Sequence, residues 1–120
     1  MTENKSWVNM KLTKEFLEYI DHNLNVFHHL IEDKCNLNAL LFTVNRRLSE
    51  VDTKISLTFH DEWKGESINE DGLKYLFKFD QWLRKWRQDM KFQSKIIEQP
   101  LNAFKDYIIE EMELHEDGVF

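Results

Sequence analysis

The sequence predicts an all-α fold, an antiparallel four-helix bundle formed by a single domain over residues 1–120. Apolar residues recur at intervals of three and four positions in four successive segments, which is the spacing of one side of a helix. The chain contains 3 Gly and 1 Pro, too few for the frequent turns of an all-β sandwich. We expect helices at about residues 13–35, 37–60, 68–98 and 101–115.

The first two helices are indicated by their boundaries and by their apolar residues. Thr13 is the expected N-cap of the first helix, and Asn36 separates that helix from the second. In the second helix the apolar residues repeat about every 3.5 positions, as they do in a coiled coil. The apolar sides of the two helices comprise Leu17, Ile20, Leu24, Phe27, Ile31, Leu37, Leu41, Val44, Leu48, Val51 and Ile55.

The last two helices also have recognisable limits. Ser67 followed by Glu70 has the spacing of a capping box, which predicts the start of the third helix. Pro100 prevents that helix from continuing, so the fourth helix begins at Leu101. The expected inward residues of the two helices are Leu76, Phe79, Leu83, Trp86, Met90, Ile97, Leu101, Phe104, Ile108 and Met112.

Two short stretches also fit β-strands. Apolar and polar residues alternate over residues 54–60, and a similar alternation occurs over residues 7–12. Pairing of these stretches would give an α+β fold with two short strands. We prefer the bundle because the helical repeat of the second segment reaches Ile55 unbroken, and an isolated pair of strands is marginally stable.

The main functional signal is a basic, aromatic segment within an acidic chain. The chain carries a formal charge of −6, whereas residues 74–95 contain seven basic and two acidic side chains. At about 100° per residue, the outward side of the third helix collects basic residues and phenylalanines without any acidic residue. Such a surface suits an acidic protein or a nucleic acid. The predicted partner-binding residues are Lys74, Phe77, Lys78, Arg84, Lys85 and Phe92.

The same charges could be balanced inside the molecule instead of by a partner. If the third and fourth helices form a hairpin, Glu110, Glu111 and Glu113 would lie beside the basic residues. We give this interpretation equal weight, because runs of charge are usually solvated surfaces.

A second candidate interface lies on the first helix. It comprises Tyr19, Val26 and Leu30. These residues would either widen the core or form a homodimer contact, and we favour the core because scattered apolar surface residues are normal.

No arrangement of residues predicts catalysis, and we expect no cofactor and no metal. His22 and His29 lie away from the apolar side of the first helix, whereas bundle metal sites need ligands that project inward from several helices. Cys35 follows a helix C-terminus, where the helix dipole raises a thiol pKa, so an inert thiol is expected. The sequence contains no Gly-rich phosphate loop.

The expected location is the cytoplasm. A lone cysteine cannot form an internal disulfide, and the N-terminal residues lack the apolar segment of a signal peptide. No apolar run approaches the ~20 residues that span a bilayer, so we expect no membrane association.

These observations favour a non-enzymatic protein-binding module. In its small size, its acidity and its richness in Asn, Lys, Ile and Phe, the chain resembles immunity-type and phage-encoded inhibitors. That resemblance implies a regulator that acts by occluding a macromolecular partner. The alternatives are a nucleic-acid-binding protein that uses the third helix and a metal-dependent helical-bundle enzyme.

Overall fold

The computed structural model describes residues 2–63 and 70–117, with side chains described for residues 13–58 and 72–115. It contains four helices and, within those ranges, no strand. The helices are α1 (Thr2–Glu32), α2 (Leu37–Trp63), α3 (Glu70–Gln93) and α4 (Gln99–Asp117). The prediction of an all-α helical bundle is confirmed.

Contacts between α1 and α3 show that these two helices run parallel to each other. The ring of Tyr19 packs edge-on against Phe79, and one helical repeat further along Phe27 packs against Trp86. Both residue numbers increase together, which fixes the relative direction. The α1 helix also packs against α2 and α4.

The α2 helix runs antiparallel to α3. Arg84 lies beside Asp52, whereas Arg87, further along α3, lies beside Asn45, which is earlier in α2. Consecutive helices from α1 to α3 are therefore antiparallel, as expected when short connections join long helices.

The core contains most of the apolar residues predicted from the helical repeat. Apart from Leu41, five residues expected inside are only partly buried: Ile31, Leu37, Ile97, Phe104 and Met112. Leu24, Phe27, Val44, Leu48 and others are buried in a single cluster that draws on all four helices. Leu41, expected inside, is only partly buried, while its neighbour Leu40 is fully buried. The strict 3.5-residue repeat missed Leu40 because a straight helix drifts relative to that repeat over several turns.

Two expectations from the sequence do not hold: the N-cap of the first helix and the alternative fold with two strands. The α1 helix begins at Thr2, so Thr13 lies inside the helix, where it is buried, and is not its N-cap. Residues 7–12 and 54–60 are helical, so the α+β alternative is wrong for both segments. The alternation around Ile55 is not a strand face, because Ile55 is buried in α2 while Leu57 is exposed.

The turn between α1 and α2 is fixed by backbone hydrogen bonds. Lys34 adopts a left-handed φ of 60°, and the amides of Lys34 and Cys35 donate to Ile31 and Leu30. This is the double bond pattern of a Schellman motif, which ends the helix. Asn36 Oδ1 then accepts from the amide of Ala39 at 2.8 Å and caps α2.

The third helix ends earlier than expected, at Gln93 instead of near residue 98. Ser94 has a φ of 55°, and the amide of Lys95 donates to the carbonyl of Met90, so the same type of motif terminates the helix. Ile97 therefore lies in the connection, where its carbonyl accepts from the indole of Trp86 at 2.7 Å. The predicted cap Ser67 lies outside the described residues.

Candidate protein-interaction surface

Three aromatic side chains of α3 and one of α4 stack on one another. We call this group the aromatic stack: Phe79, Trp82, Trp86 and Phe104. The ring of Trp82 is nearly parallel to that of Phe104, with centroids 4.8 Å apart, and it stacks on Trp86 at 4.9 Å. These rings join α3 to α4. The aromatic content of the basic segment is therefore mostly committed to packing, because offset stacking and area burial both favour it.

Polar contacts also join α3 to α4. The hydroxyl of Tyr75 lies 3.0 Å from Glu111 and 3.1 Å from His115, and Lys78 donates to the hydroxyl of Tyr107. Because residue numbers rise in α3 as they fall in α4, the two helices are antiparallel. Residues 110–113 consequently lie near the beginning of α3 and not beside residues 84–91.

Among the described residues, Glu110, Glu111 and Glu113 form no ion pair with the basic residues of positions 84–91, so the predicted charge lattice is absent there. Arg84 instead forms ion pairs with Asp80 and Asp52. Neutralisation of the basic segment is thus partial, and it comes from α2 and from α3 itself.

The two carboxylates at Arg84 influence each other. Asp80 is buried, and its Oδ1 accepts from Arg84 Nε at 2.6 Å. Its Oδ2 accepts no hydrogen bond from the residues that the structure describes. A protonated Asp52 can donate to Asp80, and this hydrogen bond, together with partial burial and the charge of Asp80, raises the pKa of Asp52. The same two carboxylates raise the pKa of Arg84, so the arginine is permanently charged.

Beyond Arg84 lies an open concave surface that we call the basic face: Arg84, Arg87, Gln88, Lys91 and Phe92. Arg87 donates to the neutral side chain of Asn45 at 2.8 Å and has no carboxylate among its lining neighbours. Phe92 is 89% exposed, the largest value among the exposed apolar residues of the described chain. The C-terminal half of α3 therefore presents a phenylalanine surrounded by cations.

The α2 helix adds residues that the sequence analysis did not select. Phe42 is 63% exposed, and the guanidinium of Arg46 lies 6.0 Å from its ring centroid. Phe42 precedes Asn45 by three residues, so both lie on the same side of α2, close to Arg87. The available signal was the absence of any acidic residue from positions 37–49.

The structure separates the six predicted binding residues into three groups. Arg84 and Phe92 lie together on the basic face. Lys85 pairs with Asp89 at 3.3 Å, on the side of α3 away from α2. The other three lie toward the beginning of α3, where all are exposed: Lys74, Phe77 and Lys78.

The second candidate interface on α1 is largely engaged inside the molecule. Tyr19 donates to Glu50 at 3.0 Å, its ring lies 4.6 Å from Lys54 Nζ, and Leu30 packs against the core. Burial and then the hydrogen bond to Glu50 raise the pKa of Tyr19. Val26 is partly buried. All three residues of this candidate interface are therefore partly buried.

His28 forms contacts that link parts of the fold, and Cys35 is a free thiol. His28 lies 2.9 Å from Glu32 and 3.6 Å from Glu98, which connects the end of α1 to the segment before α4. No group of three His, Cys, Asp or Glu residues suited to a metal ion occurs among the described residues. Burial, and then the negative charge of Asp33, raise the pKa of Cys35, which disfavours the reactive thiolate.

Comparison with other proteins gives the chain no family. No protein-family model, no curated protein and no solved structure matches it. The fold therefore defines only the class, a helical bundle. Among the described residues, no helix has the length and apolar character needed to span a membrane.

Proposed function

We propose that this protein is a non-enzymatic binding module, a small acidic regulator or inhibitor that uses the basic face to occlude a macromolecular partner in the cytoplasm. The partner we propose is a protein with an acidic surface around an apolar pocket. The observation that carries the proposal is Phe92, which is 89% exposed between Arg87 and Lys91.

Phe92 has the chemistry of an interface anchor. An aromatic side chain that enters a pocket of a partner loses a large apolar area to water and can dominate binding. The cations around it would meet carboxylates of the partner, increasing the rate of encounter and fixing the orientation. Since Phe92 contributes little to its own core, its exposure has no packing explanation inside the molecule.

A protein partner fits the charges better than a nucleic acid does. The chain as a whole carries −6, which repels a polyphosphate at long range. Arg84 and Lys85 already form ion pairs with carboxylates, which leaves Arg87 and Lys91 as the main cations of this surface available for phosphate contacts. So few contacts would support only weak, salt-sensitive binding to nucleic acid.

The test compares affinity captures from lysate of the source cells with wild-type, Phe92→Ala and Leu57→Ala proteins as baits. Leu57 is also exposed but lies on α2 away from the basic face, so Leu57→Ala is the matched control. We expect a protein that wild type and Leu57→Ala retain and Phe92→Ala loses. With that protein purified, Phe92→Ala should raise the dissociation rate by about 10-fold or more.

Two outcomes would contradict the proposal. A partner captured equally by all three baits would place the binding site elsewhere. Binding of a single-stranded oligonucleotide that is lost in Phe92→Ala, with no protein captured, would favour the nucleic-acid alternative.

A further inference from the structure

The outer side of α4 carries a regular acidic surface. Asp106, Glu110 and Glu113, which we call the acidic stripe, follow one another at four- and three-residue spacing and are all exposed. None of them forms an ion pair with a described residue. Ile109 and Leu114 flank the stripe and are exposed too, Leu114 by 64%. The surface is thus an acidic helix side with apolar groups at its edges.

The acidic stripe and the basic face match in charge and in spacing. Arg87 and Lys91 are four residues apart on one side of α3, as Asp106 and Glu110 are on α4. Each pair spans about 6 Å along its helix, so two such helices laid side by side can align opposite charges. Both surfaces also hold an exposed apolar side chain near the charges, Phe92 on α3 and an exposed leucine on α4.

Within one molecule these two surfaces cannot meet. The α4 helix contacts α3 through Trp82 and Tyr75, on the side of α3 that holds the aromatic stack. Arg84 and Arg87 lie on the other side, where they contact α2. Pairing of the acidic stripe with the basic face therefore requires a second molecule.

We propose that a second copy of this chain docks its acidic stripe on the basic face. The contact joins two different surfaces, so it is heterologous. One molecule of a pair keeps its basic face free, and the other keeps its acidic stripe free. Association by such a contact continues with concentration unless the rotation closes a ring. The proposal needs no foreign partner and does not rest on the proposed function.

The first test is the molar mass of the purified protein, measured by sedimentation equilibrium. At about 0.5 mM protein and about 50 mM salt, we expect a mean mass at least about 1.5-fold the monomer mass of 14.6 kDa. At about 500 mM salt the mean mass should return to the monomer, because the paired charges are exposed and screened. A monomer under both conditions would overturn the proposal.

The second test identifies the surfaces by complementary charge reversal. Arg87→Glu/Lys91→Glu removes the basic face, and Glu110→Lys/Glu113→Lys removes the acidic stripe. Each variant alone should be monomeric, because its two surfaces carry charge of the same sign. An equimolar mixture should associate, since each variant supplies the charge that the other lacks. A monomeric mixture, or self-association of either variant at the wild-type level, would overturn the proposal.

Controls separate the contact from changes in net charge or in folding. Glu15→Lys/Glu18→Lys changes the charge of the exposed side of α1 by the same amount as the α4 variant and should associate like wild type. Helical circular dichroism checks that each variant is folded. Should a reversal unfold the protein, Arg87→Gln/Lys91→Gln and Glu110→Gln/Glu113→Gln serve in its place, and each should weaken wild-type association at least about 5-fold.

Discussion

The two long sides of α3 are built from the same basic, aromatic segment, yet they have opposite surroundings. The side toward α4 packs Trp82 and Trp86 in the aromatic stack, where Trp86 is buried and Trp82 partly buried. The side toward α2 and solvent exposes Phe92 among cations. Composition does not distinguish the two sides. Successive residues of a helix lie about 100° apart around its axis, and this spacing decides which aromatic residue of α3 is packed and which is exposed.

The largest expected effect comes from comparing two aromatic residues of α3. Trp86→Ala should cost about 3–5 kcal/mol of unfolding free energy, because it leaves a cavity and removes the donor to the Ile97 carbonyl. Phe92→Ala should change it by less than about 0.5 kcal/mol, since the ring is exposed. Urea titration of both variants checks this. Similar losses for the two variants would show that the two sides of α3 are not distinct.

A second comparison tests the same difference between buried and exposed residues on α2. Leu48 is buried at the contact with α3, and Leu48→Ala should cost about 2–5 kcal/mol from lost transfer free energy and cavity formation. Leu57 is exposed, and Leu57→Ala should be nearly neutral. A loss below about 1 kcal/mol for Leu48→Ala in denaturant titration would place Leu48 outside the core.

Polar contacts on the α4 side should matter less than the aromatic stack. Tyr75→Phe keeps the ring but removes the hydroxyl that lies beside Glu111 and His115. We expect a loss of about 1 kcal/mol, the usual net value of a partly buried hydrogen bond. Thermal unfolding of Tyr75→Phe measures it, with Lys78→Met as a control that removes the exposed hydrogen bond to Tyr107 and should have a smaller effect. The reverse order would mean that the Tyr75 contacts do not hold α4.

The smallest effect concerns charge on the α2 side and depends on pH. Because the pKa of Asp52 is raised in the folded protein, the folded state binds a proton more tightly than the unfolded state does. The resulting stabilisation is present below the ordinary pKa of about 3.9 and is lost as the pH rises through the folded-state pKa.

Asp52→Asn should therefore slightly raise the melting temperature at pH 7 relative to wild type, because it removes a carboxylate beside Asp80. At about pH 3 the difference should vanish, since Asp52 is then protonated in both states. A lower melting temperature of Asp52→Asn at pH 7 would show that the ion pair with Arg84 outweighs the repulsion from Asp80.

Sequence periodicity by itself determined most of the inside and outside of the four helices, and it was wrong locally at Leu40 and Leu41. The spacing of Leu17, Val44, Leu83 and Ile108 placed them in the core, and the same rule placed Arg84 and Phe92 at the surface. These predictions succeeded because the direction of a side chain on a helix depends on local geometry alone. Helix ends were less accurate, because Lys34 and Ser94 take left-handed conformations that are unusual for residues other than glycine.

Tertiary structure decided which surfaces meet. The sequence could not determine whether residues 110–113 balance the charges of residues 84–91, because that depends on the relative shift of α3 and α4. The contact between Trp82 and Phe104 sets this shift and leaves the acidic stripe and the basic face apart. Packing of large rings fixes the shift, since misplacing them would open cavities, whereas exposed charges gain little from any particular arrangement.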